Sequence, residues 1–144
     1  MPVRLSPRLA AVVNALPLRP GSRVLEIGCG PGAAARAVAM RLDGGHILAI
    51  DRSAAAIAQA EAGAAEEIAA GRMSVRQVAG EDFVLQPQEE PYDLVFAVRV
   101  GALDGRHPET GRRMLQRIAA ATTPDARLFI DGGTPLRELT IPRA

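Results

Sequence analysis

Val24-Leu25-Glu26-Ile27-Gly28-Cys29-Gly30-Pro31-Gly32 decides the fold of this 144-residue chain. An apolar run from Arg23 to Ile27 enters a glycine turn, and alanine-rich sequence follows at once. Glycines at alternate positions let a backbone turn sharply and let a ligand press on main-chain N–H groups. A second apolar run, Ile47-Leu48-Ala49-Ile50, ends in Asp51, 19 residues after Gly32. An acid at that spacing, closing the next strand, suits the two hydroxyls of a ribose. Strand, glycine turn, helix, strand and acid, in that order, predict a site for a nucleotide-like molecule.

Outward from this core the chain keeps alternating. Ser6-Pro7 predicts a helix start, with Leu5, Leu9, Val12, Val13 and Leu16 on one face and a stop near Pro17. Residues 32–42 read as the second helix. Ser53 caps a third, whose stripe is Ile57, Ala60, Ala64 and Ile68 and whose stop is Gly71. Residues 74–78 form a third strand, and residues 79–91 a loop with at most one turn. The run 92–98 is nearly all apolar after Asp93, as in a strand buried on both faces. Pro108 opens a fourth helix; Thr123-Pro124-Asp125 turns the chain into a fifth strand, residues 127–131.

Such alternation implies one α/β domain over residues 1–144, a three-layer, doubly wound, mostly parallel sheet of about five strands. Ligands then sit beyond the strands' carboxyl ends, where Gly28, Asp51, Glu81, Asp82 and Val98 all fall. The helix within residues 1–20 is expected to act as a lid.

Bulk properties narrow the function. Apolar content of 48% with a net charge of +1 describes an ordinary globular protein. All 17 basic residues are Arg and they are scattered, while aromatics make up 3%, so neither a basic stripe nor a stacking platform for nucleic acid is visible. No apolar run approaches a membrane span. The lone Cys29 cannot form an intramolecular disulfide, which suits the cytoplasm. No metal-ligand spacing is present.

Two cofactor readings compete. Gly28, Gly30 and Ala33 match the G-x-G-x-x-A of nicotinamide binders. Glu26, two residues before the first glycine, is awkward beside a pyrophosphate and natural beside an ammonium group. S-adenosylmethionine carries an ammonium, a cationic sulfonium and a ribose, and no phosphate. Charge therefore tilts the reading toward it.

The segment 24–32 resembles the first motif of class I S-adenosylmethionine-dependent methyltransferases. Ile47-Leu48-Ala49-Ile50-Asp51, Gly80-Glu81-Asp82-Phe83 and Tyr92-Asp93-Leu94-Val95-Phe96-Ala97 resemble their later motifs, over most of the chain. The resemblance implies that Glu26 faces the methionine amino group and that Gly28, Cys29, Gly30 and Gly32 run along the methionine and ribose. It also implies that Asp51, with Arg52 beside it, takes the ribose. Asp82 would accept from the adenine amine, with Phe83 packing nearby and Glu81 as the fallback. Main chain at Val98 and Arg99 would close over the methionine end.

The segment after strand four, Ala97-Val98-Arg99-Val100-Gly101-Ala102-Leu103, lacks the Asn/Asp-Pro-Pro-aromatic box of enzymes that methylate amide or adenine nitrogens and the Pro-Cys pair of cytosine C5 enzymes. A small-molecule acceptor follows by subtraction. Arg99 and His107 are the catalytic candidates: Arg99 to bind a carboxylate or phosphate, His107 as a base. Each has a plainer reading, His107 as a helix cap, Cys29 as a small filler and Asp93 as a structural acid. Rival functions are a non-catalytic cofactor-binding module and a nicotinamide oxidoreductase domain. Family members usually add a β6–β7 hairpin, whereas this chain ends 13 residues after Asp131. Leu136, Leu139 and Ile141 are expected to supply one edge strand at most, the hairpin to be reduced or absent, and strand five to be an edge open to homodimer pairing unless the tail covers it.

Overall fold

Strands form where the chain carries short apolar runs between turn residues, and in the computed structural model, which describes residues 4–143, six of them join one sheet. They are β1 (Arg23–Ile27), β2 (His46–Asp51), β3 (Met73–Gln77), β4 (Tyr92–Ala97), β5 (Thr122–Asp131) and β6 (Leu136–Leu139). The order is β3-β2-β1-β4-β5-β6, parallel except for β6, which runs antiparallel to β5. The chain winds outward from β1 to β3, then crosses to β4 on the other side of β1. That reversal opens a crevice between the ends of β1 and β4.

Successive side chains of a strand point to opposite faces, so each central strand feeds two cores. Val24, Ile47, Ala49, Leu94 and Phe96 pack with Val13, Leu16 and the alanines of α2 (Ala33–Ala39). Leu25, Ile27, Leu48, Ile50 and Val95 pack with Met114 and Ile118 of α5 (Pro108–Ala120). Small Ala34, Ala35 and Ala37 bring α2 close over the sheet. Glu26 pairs in register with Ala49 and Phe96 and faces the same side as they do. An acid thus occupies a place in the apolar layer.

The helices depart from expectation in detail. The first is α1 (Pro7–Ala15), capped by Ser6 Oγ, which accepts from Leu9 N. The single third helix is two: α3 (Ala54–Gly63) and α4 (Ala65–Ala69), separated at Ala64 just after Gly63, a poor helix former. Residues 79–91 hold one 3₁₀ turn, Gly80–Asp82. The expected turn at Thr123-Pro124-Asp125 lies inside β5 as an irregularity, because the ladder jumps from Tyr92↔Thr122 to Leu94↔Arg127. Pro124 has no N–H to offer a ladder.

At the C-terminus the tail does cover strand five in part. Residues 136–139 add a sixth strand along Leu128–Asp131, so that stretch of β5 is not the open edge expected for pairing with a second subunit. The reduced hairpin leaves β3 and β6 as the sheet's edges. Asp93 is structural, both its carboxylate oxygens accepting from Arg23 N. Among the described residues no helix is long and apolar enough to cross a membrane.

One close packing has a direct test. At Gly111 in α5, an added Cβ would overlap the carbonyl oxygen of Ala102. Gly111→Ala is expected to cost about 1–3 kcal/mol by overpacking, read as a lower midpoint in urea unfolding.

Candidate functional site

The glycine turn is stitched to β2 before any ligand arrives. Gly28 N and Cys29 N both donate to the Ile50 carbonyl, at 2.9 and 3.0 Å. Gly28, Gly30 and Gly32 take φ of 72°, 53° and 89°, the left-handed region that side chains avoid. Gly30 N donates to Asp51 Oδ2 at 2.9 Å, while Ser53 N donates to Asp51 Oδ1, also at 2.9 Å. Asp51 therefore holds the glycine turn with one oxygen and the start of α3 with the other. Each oxygen keeps a further lone pair for a hydroxyl.

Two cavities open on this rim. The first, about 230 Å³, is walled by Glu26, Gly28, Cys29, Gly30, Pro31, the start of α2, Val98 and Arg99. Ser6, Arg8, Leu9 and Val12 of the N-terminal segment form its outer wall. The second, about 580 Å³, is lined by Asp51, Arg52, Glu81, residues 99–102, Arg106, His107 and Thr110, among others. Gly28 and Arg99 line both, marking where the two meet.

Glu26 is the electrostatic centre of the first cavity. It is 3% exposed, and its Oε1 has no hydrogen-bond partner. Burial, reinforced by the Asp51 charge, pushes its pKa up to about 8. An unpaired buried carboxyl is costly, and a cationic donor entering the cavity would satisfy it. The other buried orphan oxygen, Glu67 Oε2, differs because the same carboxylate already holds Arg36 at 3.2 Å.

Cys29 is buried, and burial first, then Glu26 and Asp51, push its thiol up to about 12. It stays protonated and fills space. Arg99 leaves β4 with φ of 60°, its N–H donating to Asp131 Oδ1 at 3.0 Å. The other oxygen of Asp131 accepts from Arg8 Nη2 at 2.8 Å, pinning α1 across the first cavity. His107 stands at the N-cap position of α5, yet its side chain makes no capping bond.

The adenine-side residues separate. Glu81 lines the second cavity. Asp82 is not among its lining residues and accepts from Arg113 Nη2 at 2.6 Å. Phe83 is core, 6.4 Å from the Tyr92 ring and beneath the Arg76 guanidinium. Sequence reasoning overlooked Arg8 and Asp131, which lie 123 positions apart, because no local spacing signals that contact. Among the described residues no three His, Cys, Asp or Glu side chains gather to hold a metal ion.

These elements fit an adenosine that bears an amino acid better than one that bears a pyrophosphate. The preference rests on the orphaned, buried Glu26 carboxyl at the first cavity, since arginines as well as carboxylates line the two walls.

Comparison with known proteins agrees. A protein-L-isoaspartate O-methyltransferase of Methylorubrum populi is 38% identical over 132 residues, covering 92% of this chain and 57% of its own length. A trans-aconitate 2-methyltransferase of Paracidovorax citrulli is 31% identical over 115 residues, 80% of this chain and 40% of that protein. The chain spans about half the length of the curated relatives it matches. Coclaurine N-methyltransferase, solved with N-methylheliamine and SAH, shares the fold, with a TM-score of 0.69 at 20% identity over 85% of this chain and 34% of that one. Residues 24–125 match the methyltransferase domain model, a stretch containing the glycine turn, Asp51, Glu81 and Arg99. The chain belongs to the methyltransferase domain family.

Proposed function

We propose that this chain binds S-adenosylmethionine across both cavities and transfers its methyl group to a small-molecule acceptor. The carrying observation is the buried, unpartnered Oε1 of Glu26 at the wall of the first cavity. When bound, the cofactor supplies an electrophilic methyl group on a cationic sulfonium.

The protein's part is positioning. Glu26 accepts from the methionine ammonium, and the Gly28–Gly32 main chain lies along the ligand without side chains in the way. Asp51 offers its remaining lone pairs to the ribose hydroxyls. The exocyclic-amine role falls to Glu81, because Asp82 is engaged with Arg113 outside the second cavity. The helix α1, within residues 1–20, serves as a lid that keeps water from the methionine end. Holding the partners in line is worth up to about 7–11 kcal/mol in favourable cases. The reading places the protein in the cytoplasm, which its free, buried Cys29 suits.

Calorimetric titration with S-adenosylmethionine, S-adenosylhomocysteine and NAD tests the reading. Binding of both adenosyl ligands and not NAD is expected; NAD binding alone would overturn it. Asp51→Ala should weaken S-adenosylhomocysteine by more than about 1–2 kcal/mol, since charge-assisted hydrogen bonds are lost and the glycine turn loses its tie. Unchanged affinity would mean that the ribose lies elsewhere.

A further inference from the structure

The walls of the two cavities carry four arginines: Arg8, Arg52, Arg99 and Arg106. Two are committed within the protein, Arg8 to Asp131 at 2.8 Å and Arg106 to Asp104 at 2.9 Å. Among the described residues Arg52 and Arg99 have no carboxylate partner. They differ in place. Arg52 lines the second cavity only, whereas Arg99 lines both and so stands where they meet.

Arg99 is also held there at a cost. Its φ of 60° is one of two positive values at non-glycine residues among those described. Asp131 stabilises this backbone by accepting its N–H. Strain of this sort persists where surrounding structure enforces it, and it gathers at binding sites. The backbone is fixed and the side chain is exposed, so a guanidinium without a carboxylate partner stands at the junction as a fork for a carboxylate.

Bases are scarce at that point. Glu26 faces the ammonium and Asp51 the ribose in the reading above, and His107 belongs to the second cavity alone. A hydroxyl or amine acceptor has a proton to lose; a carboxylate at neutral pH has none.

We propose that the acceptor is a carboxylic acid, that Arg99 holds its carboxylate at the junction of the cavities, and that the product is a methyl ester. This rests on the methyl-transfer reading above. A carboxylate oxygen lone pair forms the O–CH3 bond while the S–CH3 bond breaks, its electron pair returning to sulfur. The sulfonium becomes a neutral thioether, the carboxylate a neutral ester, and no proton moves. Arg99 acts as the acceptor-binding residue.

The test uses the full chain and methyl-tritiated S-adenosylmethionine. Acceptor probes are succinate, trans-aconitate, benzoate and an aspartyl peptide, set against catechol and benzylamine. Methyl esters are recognised because they release labelled methanol in mild base. S-adenosylhomocysteine binding is measured first: no binding there overturns the cofactor reading itself, and this proposal with it. With binding in place, base-labile label in at least one carboxylate and none in catechol or benzylamine is expected. Label only in catechol or benzylamine, or in no probe, overturns the carboxylate proposal and leaves the cofactor reading standing.

Arg99→Gln should raise the carboxylate KM at least tenfold while the S-adenosylhomocysteine Kd stays within twofold, and Arg99→Lys should recover part of the loss. Arg99→Gly removes the guanidinium while relieving the left-handed backbone, so a folded protein with the same KM defect is expected. An unchanged KM in both variants, or a Kd that rises in step with KM, overturns the assignment of Arg99.

Discussion

Replacing Glu26 by Gln is expected to make the protein more stable at pH 8 while crippling its hold on S-adenosylmethionine. Folded Glu26 keeps its proton up to about pH 8, whereas an unperturbed glutamate releases it near 4.5. Unfolding therefore sheds a proton between those values, and wild-type stability falls as pH rises through that window. At about 1.4 kcal/mol per pKa unit, the loss from this one group amounts to a few kcal/mol. Glu26→Gln removes the slope, because a carboxamide does not titrate. Urea unfolding at pH 5, 6.5 and 8 would show a declining wild-type series against a flat Glu26→Gln one. Parallel series would mean that Glu26 does not titrate in that range.

Affinity moves the other way. The ammonium loses its charged acceptor, and S-adenosylhomocysteine should bind about 10–100-fold more weakly, as expected for a charge-assisted hydrogen bond of about 1.5–3 kcal/mol. Since the free protein holds a proton on Glu26 at pH 7, wild-type binding should release close to one. Calorimetry in buffers of different ionisation enthalpy reads that number directly. Retained affinity in Glu26→Gln would displace the ammonium from this wall.

Gly32→Ala is the second large effect, and it falls on the fold first. Gly32 has φ of 89°, and an added Cβ would lie 3.0 Å from Ala60 Cβ and 3.3 Å from Ala60 Cα. The nearer neighbours belong to α3, one of them backbone, so relief requires a helix to shift rather than a side chain to swing. Left-handed strain of roughly 1–2 kcal/mol adds to overpacking of about 1–3 kcal/mol. For a chain of this length the melting temperature should drop by about 5–15 °C. The Gly32 carbonyl also accepts from Arg36 N, so α2 should fray at its start and affinity fall with stability. A melting temperature within 2–3 °C of wild type, by the same scaling, would contradict this account of the turn.

What was legible in the chain follows from how each signal is encoded. Residues 23–27 and 46–51 were readable to their ends, because apolar runs bounded by turn residues are local facts. Asp93 was readable as structural from its place at a strand start. The strand at residues 136–139 was harder, as Arg137 and Glu138 interrupt its apolar pattern and only pairing with β5 makes it extended. Gly63 did mark the break between α3 and α4, but a glycine inside a helical stripe also occurs without one. The pairing of Asp82 with Arg113 lay out of reach, since the two are 31 positions apart. Contacts of that range leave no periodic trace. The glycine turn and its acids were visible early; the arginine arrangement around Asp131 needed the fold.

Asp131 also makes a tie that salt can loosen. Its ion pair with Arg8 links α1 to the end of β5, and the Arg8 side chain is 57% exposed. A pair so open to water is worth under about 1 kcal/mol and is screened further by salt. Salt therefore loosens only this outer tie, because Val12, Val13 and Leu16 stay buried and hold α1 down by apolar packing. Rising ionic strength should free the Arg8 side chain at the wall of the first cavity while leaving the helix in place.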